Sequence, residues 1–508
     1  MANARKSTSC PPCSGGAKKR EDTEEGREGS RGDSENGEDR EKASPSCSSL
    51  CESARKVFDE MLFTPSFFRE VWEQSPLLLR SNKLGAHPLS GRNFISEEDM
   101  VCMCYKGAVA ETLKVFQEGK LYDPPQISFP EEACGDVSPI SPPPCAASSS
   151  SGERSSDREG KKEETGKMVE GREKHGTTKS ASLSRATCRY LEGCSLVINQ
   201  ADRTLEILQS ICRHLSEKYF SHVFAVSYLT PPRTHAVKTH TDDQDVFLLQ
   251  VWGSKAWKIW GPPQILPLTE EMLGKREPFP DDPGQPLLEF VLKEGDILYI
   301  PRGFPHAAVT TEEPSLHITL TVPTAEFAYV TCLQRLVKSL VLSHTLPSDT
   351  ERRCRSALLL KDVPGSSEDL KALRVWVDAC AEQVASHLNY DALSTCLSSQ
   401  LDTVNAMQKR QFLRLQTLPV STPFTSTSLV VLAAGLTCEC AEGSSEAVFF
   451  KGTQSLTMKI YPSASKLIHV LASRQPAKVC DLPCTDPFER FCVLLVLHSK
   501  ALIDVFSR

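Results

Sequence analysis

The chain has 508 residues, of which 40 % are hydrophobic and 24 % charged, and its formal net charge at pH 7 is −7. This size and apolar content suffice for two or three folded units. The negative charge argues against a protein whose main surface wraps nucleic acid, although it does not exclude a local basic face. Protein or small-molecule partners are favoured. Because we find no apolar leader and no apolar run near the roughly 18 residues that span a bilayer, we expect a soluble, intracellular protein.

The chain contains 20 cysteines, which are scattered along its length without the pattern of a secreted disulfide framework. We therefore expect reduced thiols. Three close pairs raise the alternative of structural zinc. They are Cys10/Cys13, Cys102/Cys104 and Cys438/Cys440. Zinc is disfavoured, because no second pair follows any of them at the spacing of a zinc finger.

Two segments are rich in small and charged residues and poor in large apolar ones, at residues 1–50 and 133–182. Such composition cannot offset the entropy cost of ordering, so we predict a disordered tail and a disordered insertion. The cluster Lys18-Lys19-Arg20 in the tail would suit nuclear import, although a charge run is more often simply solvated.

Between these segments, residues 57–72 show helical spacing of apolar side chains and predict packing against a core. From residue 183 onward, short apolar runs are separated by Gly and Pro, a pattern typical of a β-sandwich or barrel. The predicted strands are residues 194–199, 223–229, 246–252, 255–260, 287–292, 296–300 and 316–322.

After residue 325 the apolar spacing becomes helical, around Leu333–Val341 and Leu370–Leu388. These apolar stripes need a partner surface, either in the same chain or on a second copy. The last hundred or so residues alternate short strands with helical segments, which suits a small α+β or winged-helix module. We therefore predict a β domain at 51–325, a helical region at 326–410 and a C-terminal module at 411–508.

The segment His240-Thr241-Asp242 precedes a predicted strand, and His306 follows another. In extended backbone, residues two apart point the same way, so His240 and Asp242 can approach one ion together. Two imidazoles and one carboxylate leave about three octahedral positions open, which suits a non-haem Fe(II) that binds a chelating co-substrate and then O₂. The competing interpretation is a surface pair of polar residues, since the H-x-D spacing alone is common.

Strand alternation places Lys255 on the same face as Trp257 and Ile259. If that face is the barrel interior, the buried ammonium needs a negative partner, which a dicarboxylate co-substrate would supply. The alternative is a lysine at the strand end that reaches solvent. In the strand at 316–322, His317, Thr319 and Thr321 share one face, which either lines a polar cavity beside Lys255 or faces water.

These residues resemble, in order along the chain, the JmjC ribosomal oxygenases, a family of histidyl hydroxylases and proposed lysine demethylases that includes a nucleolar type. The resemblance is dense over residues 183–325 and weaker elsewhere. Its motifs are Tyr228-Leu229-Thr230-Pro231-Pro232, His240-Thr241-Asp242-Asp243, Phe247-Leu248-Leu249-Gln250, Gly253-Ser254-Lys255, Gly295 to His306, and Ser315-Leu316-His317-Ile318-Thr319.

The resemblance implies an α+β fold, with a double-stranded β-helix (cupin/JmjC) core, a helical dimerisation region and a C-terminal winged helix. It implies His240, Asp242 and His306 as iron ligands, and Lys255 with Thr319 as the binding site for the distal carboxylate of 2-oxoglutarate. Tyr228 would line the substrate cleft.

The family resemblance further implies Fe(II) as cofactor, 2-oxoglutarate and O₂ as co-substrates, homodimerisation, and a nuclear or nucleolar location. The implied substrate is a protein side chain, either histidine of a ribosomal protein or methyl-lysine of a histone. Two positions depart from the family pattern, because Val226 stands where Asn is usual and Thr239 where Pro is usual. The rival expectation is a catalytically weak JmjC module that binds partners in chromatin or ribosome assembly; a small-molecule cupin is a third, disfavoured by the appended helical and C-terminal regions.

Overall fold

The computed structural model describes residues 47–81, 88–122, 186–263, 265–268, 284–324, 329–342, 367–420, 422–460 and 462–506. The predicted insertion at 133–182, the basic cluster at 18–20 and all but the end of the predicted tail lie outside these residues. No helix in the described ranges combines the length and the apolar character needed to cross a bilayer.

The described helices are α1 (Cys47–Lys56), α2 (Pro65–Glu70), α3 (Glu97–Val109), α4 (Glu206–Lys218), α5 (Tyr329–Leu342), α6 (Ser367–His387), α7 (Tyr390–Gln416), α8 (Ser465–Ala472) and α9 (Pro487–Ser499), with a π-helical segment at Val57–Leu62. The strands are β1 (Leu77–Leu79), β2 (Leu113–Gln117), β3 (Lys120–Tyr122), β4 (Ser195–Ile198), β5 (Phe224–Thr230), β6 (Asp245–Trp252), β7 (Ser254–Ile259), β8 (Leu288–Lys293), β9 (Ile297–Ile300), β10 (His306–Thr310), β11 (Ser315–Val322), β12 (Leu429–Leu432), β13 (Leu436–Glu439), β14 (Glu446–Lys451), β15 (Gln454–Lys459), β16 (Ala477–Lys478) and β17 (Ile503–Phe506).

Two antiparallel sheets build the core that holds the site. The larger has the strand order β1-β9-β6-β11-β5-β4-β2-β3, and the smaller has the order β10-β7-β8. Side chains of both sheets, among them Val246 and Leu298 of the larger and Trp257 and Ile259 of the smaller, form one buried apolar cluster between them. The predicted α+β class and the predicted strands between residues 194 and 322 are confirmed.

The opposite face of the large sheet is covered by the N-terminal helical segment. Phe63 packs edge-on against Phe247 of β6 at a ring-centroid distance of 5.1 Å, and Phe67 packs against Tyr299 of β9 at 5.3 Å. Trp72 stacks on Tyr299 at 5.5 Å. The prediction that residues 57–72 serve packing is confirmed, and β6 and β11 are buried along their whole length because both faces of the sheet are covered.

The C-terminal elements pack against the same core. The phenolic hydroxyl of Tyr190 donates to Oδ2 of Asp486 at 2.6 Å in a buried hydrogen bond. Asp486 is also the N-cap of α9, where its Oδ1 accepts from the backbone N–H of Phe488. The Phe488 ring meets Tyr190 edge-on at 5.0 Å. One continuous apolar cluster therefore extends from α1 to α9.

We predict that Tyr190→Phe lowers the free energy of unfolding by about 1–3 kcal/mol, because it leaves a buried carboxylate oxygen with one hydrogen bond fewer. Chemical denaturation measures this change. Tyr105→Phe is the matched control, since Tyr105 is also buried, at 8 % exposure, and its hydroxyl forms no hydrogen bond with another described residue. Equal stability of the wild type and the Tyr190→Phe variant would show that this contact does not hold the C-terminal elements in place.

Candidate metal centre and co-substrate cavity

The first two candidate ligands lie in the loop between β5 and β6, and the third begins β10. A two-way backbone bridge joins the two segments: the N–H of His240 donates to the carbonyl of His306 at 3.2 Å, and the N–H of His306 donates back at 2.9 Å. The N–H of Gly303 donates to the carbonyl of Asp242 at 2.7 Å. The backbone thus brings the H-x-D loop and the start of β10 together before any metal binds.

Gly303 is required by this turn. Its φ is +82°, a conformation that L side chains rarely adopt, and a Cβ there would lie 2.7 Å from Cδ of Pro267. Only glycine therefore allows the backbone to present its N–H to Asp242 in this way.

The three predicted ligands converge. Nε2 of His240 lies 3.6 Å from Oδ1 of Asp242, and Nε2 of His306 lies 3.6 Å from Oδ2 of the same carboxylate. Each ring points its Nδ1 at a backbone carbonyl, that of Lys238 at 2.8 Å and that of Phe304 at 3.0 Å. An Nδ1–H that donates to a carbonyl leaves the lone pair on Nε2. The geometry therefore offers two Nε2 atoms and one carboxylate oxygen to a single ion.

The electrostatic surroundings keep His306 in the form that binds metal. Burial lowers the pKa of its imidazole to about 4. Neutral imidazole is the ligand form of histidine. The pKa of Tyr228, which lies on the same cavity, is raised by burial and by the negative charge of Asp242.

A buried ionic cluster fixes the turn behind the ligands. Nη1 of Arg302 lies 2.7 Å from Oδ2 of Asp245 and 2.5 Å from Oε1 of Glu73. The hydroxyl of Tyr299 donates to Oδ1 of Asp245 at 2.9 Å. Arg302 immediately precedes Gly303, and Asp245 begins β6 just after the H-x-D loop. These residues were not singled out from the sequence, because their partners lie far apart along the chain.

Lys255 is buried, with 2 % of its surface exposed. Its Nζ donates to Oγ1 of Thr230 at 3.3 Å, and no carboxylate among the described residues forms an ion pair with it. Burial lowers its pKa to about 7. The alternative of a strand-end lysine in solvent is therefore wrong, and the prediction that Lys255 faces the interior is confirmed.

Thr319 is buried on β11, and its Oγ1 has no hydrogen-bond partner among the described residues. A buried hydroxyl without a partner is uncommon in native proteins and indicates a group that a ligand or water completes. In the strand register, Thr319 lies opposite Val226 of β5. Val226, which stands where the family usually has Asn, packs with Val197 and Ala236. It therefore places an apolar side chain beside the unpaired hydroxyl of Thr319.

One cavity joins all the predicted site residues. It is lined by Tyr228, Ala236, Val237, His240, Asp242, Val246, Leu248, Lys255, Trp257, His306, Ala308, His317 and Thr319. The polar face of β11 therefore lines a cavity and does not face water. Sequence reasoning had placed Trp257 and His317 on these inward faces but had given neither a role at the site.

Comparison with known proteins identifies this part of the chain. Residues 198–329 match the family model of the JmjC domain. The chain is thus similar to the JmjC family over this stretch, which we refer to as the JmjC domain. The match covers His240, Asp242, Lys255, His306 and Thr319, so every predicted iron and 2-oxoglutarate contact lies within the JmjC domain.

Several relatives extend the match. A Drosophila willistoni protein named bifunctional lysine-specific demethylase and histidyl-hydroxylase NO66 is 28 % identical over 348 residues, covering 62 % of this chain and 45 % of that protein. Its Drosophila mojavensis counterpart is 39 % identical over 156 residues, covering 30 % of this chain and 17 % of that protein. The chain thus spans less than half the length of these curated relatives. The resemblance of the JmjC domain to the ribosomal oxygenase family is confirmed.

Among solved structures, Escherichia coli YcfD is 14 % identical with a TM-score of 0.36, and the alignment covers 88 % of this chain and 99 % of that one. Another structure of YcfD is described as a ribosomal oxygenase in complex with cobalt and 2-oxoglutarate. The antiparallel sheets and helices described above fit the cupin-like fold of the matched JmjC family.

The zinc alternative finds no support in the described chain. Within it, the His240, Asp242 and His306 group is the one set of side chains that could hold a metal ion. Cys102, Cys104, Cys438 and Cys440 are free cysteines in the described ranges. The pair at residues 10 and 13 lies outside the described residues.

We predict that His240→Ala and Asp242→Ala each abolish stoichiometric Fe(II) binding and turnover, because two ligands cannot hold the ion at an open site. Metal content after anaerobic loading measures the first effect. His214→Ala is the control, since His214 also pairs with an aspartate, Asp59 at 2.9 Å, but lies on α4 without a third ligand. Full iron occupancy in either site variant would remove that residue from the metal centre.

Proposed function

We propose that this chain is an Fe(II)- and 2-oxoglutarate-dependent oxygenase that hydroxylates a protein side chain. One observation carries the proposal: the cavity that holds a convergent His240, Asp242 and His306 also holds the buried Lys255 ammonium without a carboxylate partner. A metal-binding face and an unpaired cation in one cavity fit a ligand that chelates metal at one end and carries a carboxylate at the other.

The donor set fits Fe(II). Two neutral imidazoles and one carboxylate on one side of the ion leave the other side open, as in the non-haem Fe(II) oxygenases. Bound Fe(II), with 2-oxoglutarate and O₂, supplies the oxidising power for C–H hydroxylation. The protein holds His240 and His306 in the ligating tautomer through the carbonyls of Lys238 and Phe304, and it positions both by the backbone bridge.

The part of the cavity around Lys255 fits a carboxylate. Lys255 is the strongest candidate, with Thr319 beside it as a neutral donor. A bound carboxylate favours the charged form of Lys255 and so opposes the effect of burial on its pKa. Co-substrate binding and protonation of Lys255 are therefore linked.

The substrate that fits best is a protein side chain, either histidine of a ribosomal protein or methyl-lysine of a histone. The support is the name of the NO66 relatives, which joins demethylase to histidyl hydroxylase. Tyr228 lines the cavity beside Asp242 and would contact the substrate. A protein with these substrates would act in the nucleus or nucleolus, in chromatin or ribosome biogenesis.

One observation favours the rival of a catalytically weak binding module. Val226 lies directly opposite Thr319 and offers no hydrogen bond to it or to a co-substrate. The complete ligand set and the buried Lys255 argue against the rival, because a module that only binds partners does not need either. Release of succinate from 2-oxoglutarate by the purified, iron-loaded protein separates the two.

We also propose that the region 326–410 forms a homodimer interface and that residues 411–508 are a winged-helix module. No residue of α6 with a described side chain is buried, and Val375 is 69 % exposed. Tyr390, at the start of α7, is 83 % exposed. Exposed apolar side chains on long helices favour a helical partner. The helix α7 continues through Gln416, so the two regions share its last turns.

We predict that Lys255→Ala raises the 2-oxoglutarate concentration needed for succinate release while Fe(II) binding stays nearly unchanged. Loss of a charge-assisted hydrogen bond from a desolvated site costs about 2–5 kcal/mol, or about thirty- to several-thousandfold in binding. Thr319→Val should act in the same direction and more mildly, because a neutral hydroxyl contributes less.

Lys258→Ala is the matched control for Lys255→Ala. Lys258 lies on the same strand, but its side chain is on the outer face, 51 % exposed and paired with Glu289. Its removal should leave the 2-oxoglutarate requirement unchanged. If Lys255→Ala turns over at wild-type 2-oxoglutarate concentrations, Lys255 is not the carboxylate-binding residue.

We predict that the purified chain is a dimer at micromolar concentration and that Val375→Asp combined with Tyr390→Asp shifts it to monomer, because both changes place charge on the proposed interface. Light scattering measures the mass. Val309→Asp is the control, since Val309 is 46 % exposed on β10 of the smaller sheet. A monomeric wild type would refute the proposed interface.

A further inference from the structure

The turn between β9 and β10, residues 301–305, contacts two of the metal ligands through its backbone. The N–H of Gly303 donates to the carbonyl of Asp242 at 2.7 Å, and the carbonyl of Phe304 lies 3.0 Å from Nδ1 of His306. Arg302 immediately precedes both turn residues. A shift of this turn would therefore disturb the backbone of one ligand and the ring orientation of another.

Arg302 is attached to the start of β6 at two points. Its backbone N–H donates to Oδ1 of Asp245 at 3.3 Å, and its Nη1 donates to Oδ2 of the same carboxylate at 2.7 Å. The Asp245 side chain is only 1 % exposed, and it follows Asp242 by three residues. One buried carboxylate thus joins the β9–β10 turn to the end of the H-x-D loop.

The N-terminal helical segment reaches the same cluster through Glu73, in the turn between α2 and β1. Oε1 of Glu73 accepts from Nη1 of Arg302, and the backbone N–H of Glu73 donates to the hydroxyl of Tyr299 at 2.9 Å. That hydroxyl donates in turn to Oδ1 of Asp245. Glu73 therefore contacts the cluster with both its side chain and its backbone.

The backbone of Glu73 adopts a conformation that is uncommon for its residue type. Its φ is +60°, in the left-handed region that residues other than glycine seldom occupy. A residue stays in such a conformation when the surrounding contacts hold it there, and these residues concentrate at functional sites. At this φ, Glu73 presents its carboxylate to Arg302 and its N–H to Tyr299 at the same time.

The alternative is that the cluster only stabilises the fold, and a second ion pair in the protein allows the two roles to be told apart. Nη1 of Arg80 lies 2.8 Å from Oδ2 of Asp296, whose side chain is 2 % exposed. Asp296 lies at the other end of β9, in the turn that follows β8. Among the described residues, no hydrogen bond joins this pair to the H-x-D loop or to β10.

We propose that Arg302 and Glu73 are positioning residues of the metal centre, which raise its affinity for the ion by fixing the β9–β10 turn. Neither residue contacts the ion. This inference rests on the proposed function and extends the metal centre to the N-terminal helical segment. That segment then covers the large sheet and also supports the ligands, so its docking and metal binding are coupled.

The test is the Kd of Mn(II), measured by electron paramagnetic resonance on the anaerobic full-length protein without co-substrate. We expect Arg302→Met to weaken Mn(II) binding about ten- to a hundredfold, the usual effect of removing a group that orients metal ligands. Arg302→Lys should recover part of the affinity, because its ammonium can still pair with Asp245. Glu73→Ala should weaken binding less than Arg302→Met, since the backbone contact with Tyr299 remains.

Arg302→Met leaves the buried carboxylate of Asp245 without its cation, which can prevent folding. The double variant Arg302→Met with Asp245→Asn removes both charges and replaces the single variant in that case. Glu73→Ala is the milder variant, because the Glu73 side chain is 38 % exposed.

Arg80→Met is the matched control. It also removes a guanidinium from a buried aspartate, but at a turn that carries no metal ligand. We expect it to lower the melting temperature and to leave the Kd of Mn(II) unchanged. The spectrum of bound Mn(II), which depends on ligand geometry, should change in Arg302→Met and stay that of the wild type in Arg80→Met.

The outcomes separate this inference from the proposed function. A wild type that binds Mn(II), together with Arg302→Met and Glu73→Ala variants that bind it equally tightly, would overturn the inference and leave the proposed function standing. An equal loss of affinity in Arg80→Met and Arg302→Met would also overturn it, because affinity would then follow overall stability. A wild type that does not bind Mn(II) would overturn both.

Discussion

The backbone bridge between His240 and His306 is the constraint on which the rest of the site depends. Its two hydrogen bonds, with the third from Gly303 to Asp242, place a loop and a strand from opposite sheets side by side. With the backbone so placed, the side chains of the three ligands bring their donor atoms together without a long extension. Because backbone groups make these contacts, the positions of the ligands follow from the sheet geometry and from one glycine at positive φ.

The cavity that holds the three metal ligands also contains Lys255, which forms no ion pair with a carboxylate among the described residues. Lys255 of β7, in the smaller sheet, is buried on the side that faces the larger sheet, so its ammonium loses solvation. Burial alone lowers the pKa of Lys255, since no described carboxylate compensates it. A buried lysine without a carboxylate partner among the described residues gains from an anionic ligand. The structure therefore favours ligand binding over a purely structural role for Lys255.

Much of the site follows from the sequence because its determinants are local. Strand alternation placed Lys255 and Thr319 on inward faces, and the H-x-D spacing placed two ligands on one side of an extended segment. The strand β10 was not predicted, because Pro301, Gly303 and Pro305 resemble a loop up to His306. The partnership of Arg302 with Asp245, and that of Tyr190 with Asp486, join residues distant along the chain and have no local signal.

The C-terminal elements illustrate the same limit. Their strands and helices were predicted from short apolar patterns, but their attachment to the core includes the buried Tyr190–Asp486 hydrogen bond and the packing of Phe488 against Tyr190, which join residues far apart along the chain. Because one apolar cluster extends through both parts, loss of the C-terminal elements would expose core residues of the JmjC domain. The sequence pattern of neither part predicts that the core of one depends on the other.

A crystal structure of the Mn(II)- and 2-oxoglutarate-loaded protein tests the central claim most directly. The account predicts an anomalous metal peak in bonding contact with Nε2 of His240, Nε2 of His306 and the carboxylate of Asp242. It also predicts one carboxylate of 2-oxoglutarate on Nζ of Lys255. A metal bound elsewhere, or a bound 2-oxoglutarate that leaves Lys255 without a contact, would contradict it.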